Sequence, residues 1–169
     1  MALYKIYNGA MPTTAAPSSV TTGTSLKTML QVKPGSTQTM RVKEWGISFD
    51  GSAAATPIKC ELIEVDVAAT VTAAVANDIV KYDGDAIAAG DPTTNIFSVG
   101  TSATGYTSTS EGSVTASRLL DLQLISPTNQ YVYQFVLGDE PMIQAGKFLR
   151  IRVTAGAAVN AYCYVKVVA

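Results

Sequence analysis

The fold class follows from one stretch of the chain, Thr39-Met40-Arg41-Val42-Lys43-Glu44-Trp45-Gly46-Ile47-Ser48-Phe49. Apolar side chains occur at every second position in both halves of this stretch, but the parity changes near Lys43 and Glu44. A repeat of two residues is that of a β-strand with one buried face. One change of parity predicts a β-bulge or a bend in this strand.

Shorter runs elsewhere in the chain show the same alternation. Residues 58–62 alternate apolar and charged side chains, and residues 63–67 continue on the other parity, which predicts a second slip. Residues 149–153 and 161–167 alternate without interruption. Residues 131–137 have the aromatic and β-branched composition that is typical of a buried strand. These runs are separated by turn-forming Gly, Pro, Asp and Ser residues, and together they indicate a β protein.

Two segments give a weaker signal. Residues 68–76 are rich in Ala and Thr and fit either a short helix or a loop over the sheet. Residues 100–117 are dominated by Ser, Thr and Gly, which predicts a loop-rich segment with edge strands. The pattern gives about eight strands and no convincing amphipathic helix. We therefore predict an all-β fold with a single domain, a jelly-roll-like β-sandwich.

The N-terminal part of the chain predicts an extended arm. Residues 9–24 contain Pro12 and Pro17, carry no charged side chain and cannot form a core of their own. We predict an arm over residues 1–24 and a sandwich over residues 25–169. The arm is either a free terminus or a segment that lies on a neighbouring subunit. The candidate interface residues are its apolar and proline side chains: Leu3, Tyr4, Ile6, Tyr7, Pro12 and Pro17.

The composition indicates a protein that associates with other subunits. Apolar residues make up 47% of the chain and charged residues only 15%, whereas an ordinary soluble domain has about 25% charged residues. Such a composition fits either a small domain rich in Ala and Val or a surface that another subunit covers. The net charge is −1, and the densest basic pair is Arg150 with Arg152. We expect no direct binding to nucleic acid, because that requires a basic stripe.

The cysteines and the N-terminus indicate a chain that is made and used without crossing a membrane. Cys60 and Cys163 lie in apolar, β-like runs, and we expect two buried free thiols in a reducing cytosol rather than a disulfide between them. The N-terminus lacks the basic and apolar regions of a signal peptide. No apolar run reaches the roughly 18 residues of a membrane span, so no membrane partner is expected.

Few residues are equipped for catalysis. The chain has no histidine, which removes the Ser-His-Asp and Cys-His nucleophile systems and the common zinc sites. No phosphate-binding glycine motif is present. Two carboxylates across a cleft would suit a glycosidase, but carboxylates on a strand more often belong to a solvated or interfacial face. The carboxylates concerned are Glu61, Glu64, Asp66, Asp139 and Glu140. We predict that the protein is not an enzyme and assign no catalytic residue.

Two other groups of side chains have a ligand-binding alternative. The acidic turn Asp83-Gly84-Asp85, with Asp78 and Asp91 nearby, fits a calcium site or a solvent-exposed turn, and it lacks the spacing of an EF-hand loop. Five aromatic residues fit either a sugar-stacking platform or a core and subunit interface. They are Trp45, Tyr131, Tyr133, Tyr162 and Tyr164. We assign no metal site and no cofactor.

Three parts of the chain resemble small structural proteins of tailed bacteriophages. They are residues 2–14 (ALYKIYNGAMPTT), residues 44–51 (EWGISFDG) continued by 57–62 (PIKCEL), and residues 147–154 (KFLRIRVT). The similarity is one of overall pattern and spans nearly the full length. The role that it suggests is that of capsid decoration proteins, also called cement proteins, which are compact β domains on the outside of the head.

The resemblance implies a homotrimer that binds the major capsid protein on the capsid exterior of the virion, after synthesis in the host cytoplasm. It also implies that the N-terminal arm reaches neighbouring molecules, for which strand addition is the physical route. Three alternatives remain open. They are a receptor- or carbohydrate-binding domain of a virion, a glycoside-degrading enzyme, and a subunit that itself forms a shell or a tail tube.

Overall fold

The computed structural model describes residues 2–83 and 96–169. These residues form two antiparallel sheets that pack face to face, which confirms the predicted all-β sandwich. Within the described residues the strands are β1 (Leu3–Tyr7), β2 (Val20–Thr21), β3 (Lys27–Val32), β4 (Met40–Phe49), β5 (Ile58–Val65), β6 (Thr70–Ala73), β7 (Ile79–Lys81), β8 (Gly105–Ser110), β9 (Ser117–Ile125), β10 (Gln130–Gln134), β11 (Met142–Ile143), β12 (Phe148–Thr154) and β13 (Asn160–Val168). A single turn of 3₁₀ helix, Ala76–Asp78, precedes β7.

Eight of these strands follow the jelly-roll order. One sheet contains β10-β4-β13-β1 and the other contains β3-β12-β5-β9, with antiparallel neighbours throughout. In chain order, successive strands of these eight lie in alternate sheets. The one exception among them is β9, which follows β5 in the same sheet. Two interleaved Greek keys of this kind define a jelly roll.

The long excursion between β5 and β9 widens the sandwich on one side only. It supplies β7, which pairs with β1, and it supplies β6 and β8, which extend the second sheet beyond β3. On the other side the sheets end at β10 and β9. The short strands β2 and β11 pair with β13 and β4. The sandwich therefore carries extra strands along one side, whereas on the other side the edge strands are those of the jelly roll itself.

The core lies between the sheets, and β4 crosses it with the predicted bulge. Trp45 on β4 is fully buried and pairs with Val165 on β13. The register of this pair shifts at Lys43, because Glu44 lies opposite Lys166 and Val42 lies opposite Val167. The parity change in the sequence is thus confirmed as a β-bulge.

The second predicted slip, between Leu62 and Ile63, is confirmed in the pairing of β5 with β9, where Leu62 lies opposite Asp121 and Ile63 lies opposite Leu119. The extra residue of this irregularity, Leu120, lies on β9.

Strand β5 keeps a continuous register with β12 from Lys59 to Val65. Ile63 and Val65 simply point to the outer face of the sheet, where they form a second apolar cluster with Phe148. The apolar residues change parity because β5 is covered on both faces at this end.

The predicted arm over residues 1–24 is wrong at both of its ends. Leu3–Tyr7 is an internal strand between β13 and β7, with Tyr4 and Ile6 buried in the core. Val20–Thr21 returns to pair with β13. Backbone partners from distant parts of the chain hold this short strand, so the folded unit begins at Leu3 rather than at residue 25. Residues 8–19 leave the sheet between β1 and β2 and form a loop whose two ends both lie at β13.

Three other segments differ from the sequence-based expectation. Residues 131–137 are not a buried strand, because β10 ends at Gln134 and is a largely exposed edge strand. Residues 68–76 contain strand β6 instead of a short helix or a plain loop. Strand β8 lies inside its sheet between β6 and β3, whereas edge strands were expected for this region.

Candidate interaction surface

The carboxylates considered for catalysis do not converge on one cleft. Glu61 and Glu64 are three residues apart on β5 and therefore lie on opposite faces of the sheet. Glu61 accepts hydrogen bonds from Arg152 at 3.0 and 2.7 Å. Glu64 accepts one from Arg118 at 2.9 Å. Each carboxylate is thus held by its own arginine in a structural ion pair.

Asp66 and Glu140 brace loops instead of facing each other. A hydrogen bond from the Thr115 hydroxyl, assisted by the backbone amides of Ala116 and Thr115, lowers the pKa of Asp66 to about 2. A hydrogen bond from Lys43, assisted by the Gly138 amide, lowers the pKa of Glu140 to about 2. Both groups are therefore ionised at neutral pH, and neither is placed to act as a general acid.

The acidic turn considered for calcium falls largely outside the described residues, which end at Asp83 on this side and exclude Asp85 and Asp91. Asp78 is buried, and its carboxylate accepts the amides of Met11 at 2.8 Å and Val75 at 3.0 Å. Among the described residues, no group of three or more His, Cys, Asp or Glu side chains could hold a metal ion.

The five aromatic residues considered for sugar stacking do not form one platform. Trp45 is buried in the core, and Tyr131 packs against it with ring centroids 5.3 Å apart. Tyr133 stacks on Tyr131 at the edge formed by β10. Tyr162 and Tyr164 occupy alternate positions of β13 whose side chains face away from the core. The group is thus divided between the core edge and the outer face of the seven-stranded sheet.

The basic pair on β12 is not a surface for nucleic acid. Arg150 is fully buried and donates to the side chain of Glu111 at 3.3 Å and to the carbonyls of Glu111 and Val67. Arg152 is engaged by Glu61. Arg150 holds the segment around Glu111 onto the outer face of the six-stranded sheet. Arg152 neutralises the charge of Glu61 on the neighbouring strand β5.

The two cysteines are free and buried, as the sequence predicts. Burial raises the pKa of Cys60 to about 12, and burial together with the charge of Cys60 raises the pKa of Cys163 well above its usual value. Thiolates are the reactive form of cysteine. Both thiols are therefore inert in the folded protein.

A stripe of leucines lies bare on edge strand β9. Leu119, Leu122 and Leu124, called the leucine stripe below, are 51%, 46% and 72% exposed. They pair with Ile63, Glu61 and Lys59 of β5 and share the outer face of the six-stranded sheet with them. An exposed apolar stripe on a sheet edge is a surface that favours association.

The inner side of the same strand is tied to the other sheet by Asp121. Its carboxylate accepts the Trp45 indole N–H at 3.0 Å and the Tyr131 hydroxyl at 3.0 Å. It also accepts the amide of Leu122 at 2.8 Å. Burial, reinforced by the bond to Asp121, raises the pKa of Tyr131 to about 12. The leucine stripe therefore lies on a strand whose inner side is hydrogen-bonded to the other sheet.

A second apolar feature is a pocket beside the outer face of the seven-stranded sheet. Tyr7 and Tyr162 line it together with parts of the loop over residues 8–18, and its volume is about 550 Å³. We call it the tyrosine pocket. No charged side chain lines it. A pocket with so few polar groups suits an apolar side chain better than a sugar, which needs hydrogen-bonding partners for its hydroxyls.

A third feature is an exposed apolar turn after β10. Val136 and Leu137 stand at its tip, and Leu137 is 85% exposed. The turn closes through a 2.9 Å hydrogen bond from the Asp139 amide to the Val136 carbonyl. Gly138 has a φ of +100°, a region that favours glycine. This segment is called the Leu137 turn.

The six predicted interface residues divide between these features and the core. Tyr4 and Ile6 are buried within the chain's own core and are unavailable to a partner, which corrects that part of the prediction. Tyr7, Pro12 and Pro17 line the tyrosine pocket. The sixth, Leu3, lies beside the Leu137 turn.

The sequence-based reasoning missed the leucine stripe and the Leu137 turn. The signal for the stripe was a strand in which leucines alternate with Asp121 and Gln123. This alternation does not by itself show which face of the strand is buried. The signal for the turn was the pair Val136-Leu137 directly before Gly138-Asp139, which places two large apolar residues at a turn.

Comparisons of the chain with protein-family models, with curated proteins and with solved structures found no match. None of the helical segments in the described residues combines the length and apolar character that crossing a membrane requires. The function is therefore inferred from the surfaces that this chain itself presents.

Proposed function

We propose that this protein is a structural subunit of a tailed-phage virion that decorates the capsid exterior and binds the major capsid protein through the leucine stripe. The observation that carries the proposal is that Leu119, Leu122 and Leu124 form a bare apolar stripe on a rigidly held edge strand. The capsid as the partner comes from the resemblance of the sequence to phage structural proteins.

The charges around the stripe indicate the chemistry of the partner. Glu61 is paired with Arg152, and Glu64 at the same edge is paired with Arg118. The stripe therefore offers little free charge apart from Lys59. Such a surface fits an apolar patch on another protein better than phosphates or lipid headgroups, which require unpaired cations.

The size of the surface suits a decorating role. Three leucines on one strand make a small contact, which by itself gives modest affinity. A shell presents many identical sites, so that many copies of a weak binder together add substantial stabilisation. Copies of the subunit that also contact each other would strengthen this attachment further.

The experiment measures co-sedimentation of the purified protein with empty heads of the virus that encodes it, prepared without the protein. We expect the wild-type protein to bind and the double variant Leu122→Ser/Leu124→Ser to bind at least about tenfold more weakly, because each serine removes a buried apolar contact. The matched control is Val75→Ser, which also removes an exposed apolar side chain but lies outside β9.

Two outcomes would contradict the proposal. If the wild-type protein does not bind the heads, the decorating role is wrong. If the double variant binds as tightly as the wild type, the attachment surface is not the leucine stripe.

A further inference from the structure

The tyrosine pocket and the Leu137 turn have matching properties. The pocket is a hollow of about 550 Å³ without a charged side chain in its lining. The turn presents Leu137, the most exposed of the large apolar side chains in the described residues, at its tip. A contact between copies of one chain requires an exposed side chain and a complementary hollow elsewhere on the same surface.

The pocket is held open by hydrogen bonds. Asn8 fixes the start of its loop, because its side chain donates to the Ala161 carbonyl at 3.2 Å and accepts the Cys163 amide at 2.9 Å. The Met11 amide donates to Asp78 at 2.8 Å. The Tyr162 hydroxyl donates to the carbonyl of Pro17 on the far side of the loop. The hollow thus exists before anything binds in it.

The Leu137 turn is also held in place before binding. Glu140 is buried, and its carboxylate accepts the Gly138 amide at 2.9 Å while it forms an ion pair with Lys43. Together with the bond from Asp139 to Val136, these contacts fix the backbone on both sides of Leu137. A backbone that is already ordered loses little entropy when the side chain that it carries docks.

The two features cannot meet within one chain. Leu3, at the start of β1, borders the Leu137 turn, whereas Tyr7, at the end of β1, borders the pocket. Four residues of strand separate these ends by about 13 Å. The turn and the pocket therefore lie at opposite ends of this face, which is the arrangement for contact between neighbouring copies.

We propose that Leu137 of one copy binds in the tyrosine pocket of a neighbouring copy. Repetition of this head-to-tail contact closes a ring when the rotation between copies allows it. The contact goes beyond attachment to a shell and uses a different surface from the leucine stripe.

The test uses two variants that each disable one half of the contact. Leu137→Glu places a charge at the tip of the turn, and Ala16→Glu places a charge in the lining of the pocket. Both positions are exposed, so urea unfolding should show unchanged stability. Mass measurement in solution should show an oligomer for the wild type and a monomer for each variant, with association weakened about 100-fold.

A mixture of the two variants gives the sharpest result. Leu137→Glu retains an intact pocket and Ala16→Glu retains an intact turn, so the mixture should form a complex of two chains with one of each variant. The control Leu122→Ser/Leu124→Ser should keep the wild-type oligomer, which separates this proposal from shell attachment. A monomeric wild type, single variants that keep the wild-type mass, or a mixture that stays monomeric would each overturn the proposal.

Cross-linking tests the same contact by proximity. Mixed under mild oxidation, Leu137→Cys and Ala16→Cys should form a disulfide-linked pair of chains, because Cys60 and Cys163 are buried and do not compete. If no disulfide-linked pair forms between them while exposed thiols are demonstrably oxidised, the contact does not exist.

Discussion

Ile63 and Leu119 are register partners on the same face of the same sheet, yet one is 4% exposed and the other 51%. Ile63 is buried because part of the chain between β5 and β9 folds over it. Ile63, Val65 and Phe148 form one apolar cluster beneath this covering segment. This cover ends before it reaches β9. The chain therefore covers the outer face at β5 with its own residues and leaves the adjacent strand bare, as expected of a strand that a partner covers.

The covered region depends on one carboxylate. Glu111 accepts the Thr28 amide at 2.6 Å, the Thr28 hydroxyl at 2.5 Å and the Ser108 hydroxyl at 2.5 Å, and it also pairs with buried Arg150. We expect Glu111→Ala to lower the free energy of unfolding by about 4 kcal/mol, because it leaves a buried guanidinium without its counter-charge. Urea unfolding measures this change.

The matched control for Glu111→Ala is Glu61→Ala, which breaks the neighbouring ion pair with Arg152. Both partners of that pair are partly exposed, so the expected loss is about 1 kcal/mol or less. Equal losses for the two variants would show that Glu111 does not hold the cover in place.

The register pair itself provides the second prediction. Ile63→Ala should lower the free energy of unfolding by about 3 kcal/mol, because it leaves a cavity in a closed cluster. Leu119→Ala on the bare strand should change it by no more than about 0.5 kcal/mol. Urea unfolding of the two variants checks the contrast, and similar losses would contradict the distinction between covered and bare strands.

The third prediction concerns the hydrogen bonds that join Asp121 on β9 to the other sheet. Asp121→Ala leaves the Trp45 indole and the Tyr131 hydroxyl without their acceptor, so we expect a loss of about 2 kcal/mol in the free energy of unfolding. Trp45 is the only tryptophan in the chain, and its fluorescence reports both the unfolding and the local change. If Asp121→Ala leaves the stability unchanged, β9 is not held through this carboxylate.

A smaller effect is expected at the Leu137 turn in acid. Glu140 has its pKa lowered from 4.5 to about 2 by its bonds with Lys43 and Gly138. Its stabilising contribution is therefore complete above about pH 4.5 and is lost as the pH falls towards 2. Glu140→Gln should flatten the fall in stability between these values, as followed by unfolding at a series of pH values.

The matched control for the acid experiment is Asp139→Asn, an exposed carboxylate in the same turn. Its pH dependence should follow that of the wild type. If Asp139→Asn flattens the curve as much as Glu140→Gln does, the acid sensitivity does not come from the buried ion pair.

Local periodicity predicted the elements whose burial is decided by their own sequence. The alternation around Trp45 and its parity change at Lys43 specified both strand β4 and its bulge, because a half-buried strand shows its period directly. The apolar runs around Cys60 and Cys163 likewise predicted two buried thiols.

Segments whose surroundings come from distant residues could not be predicted. Strand β1 was expected to be an arm, because its sequence does not show that β13, from the far end of the chain, provides its ladder. The aromatic residues of β10 were expected to be buried, although they lie at a sheet edge. The exposure of Leu119 depends on where the cover around Glu111 ends, which has no local signal.

The most direct test of the bare strand is amide hydrogen–deuterium exchange of the protein, free and bound to empty heads. We predict that binding slows exchange of the amides in residues 117–125, whereas the already covered residues around Glu111 change little. Exchange in residues 117–125 that is equally fast in both states, with protection elsewhere on the surface, would contradict the assignment of the leucine stripe as the attachment surface.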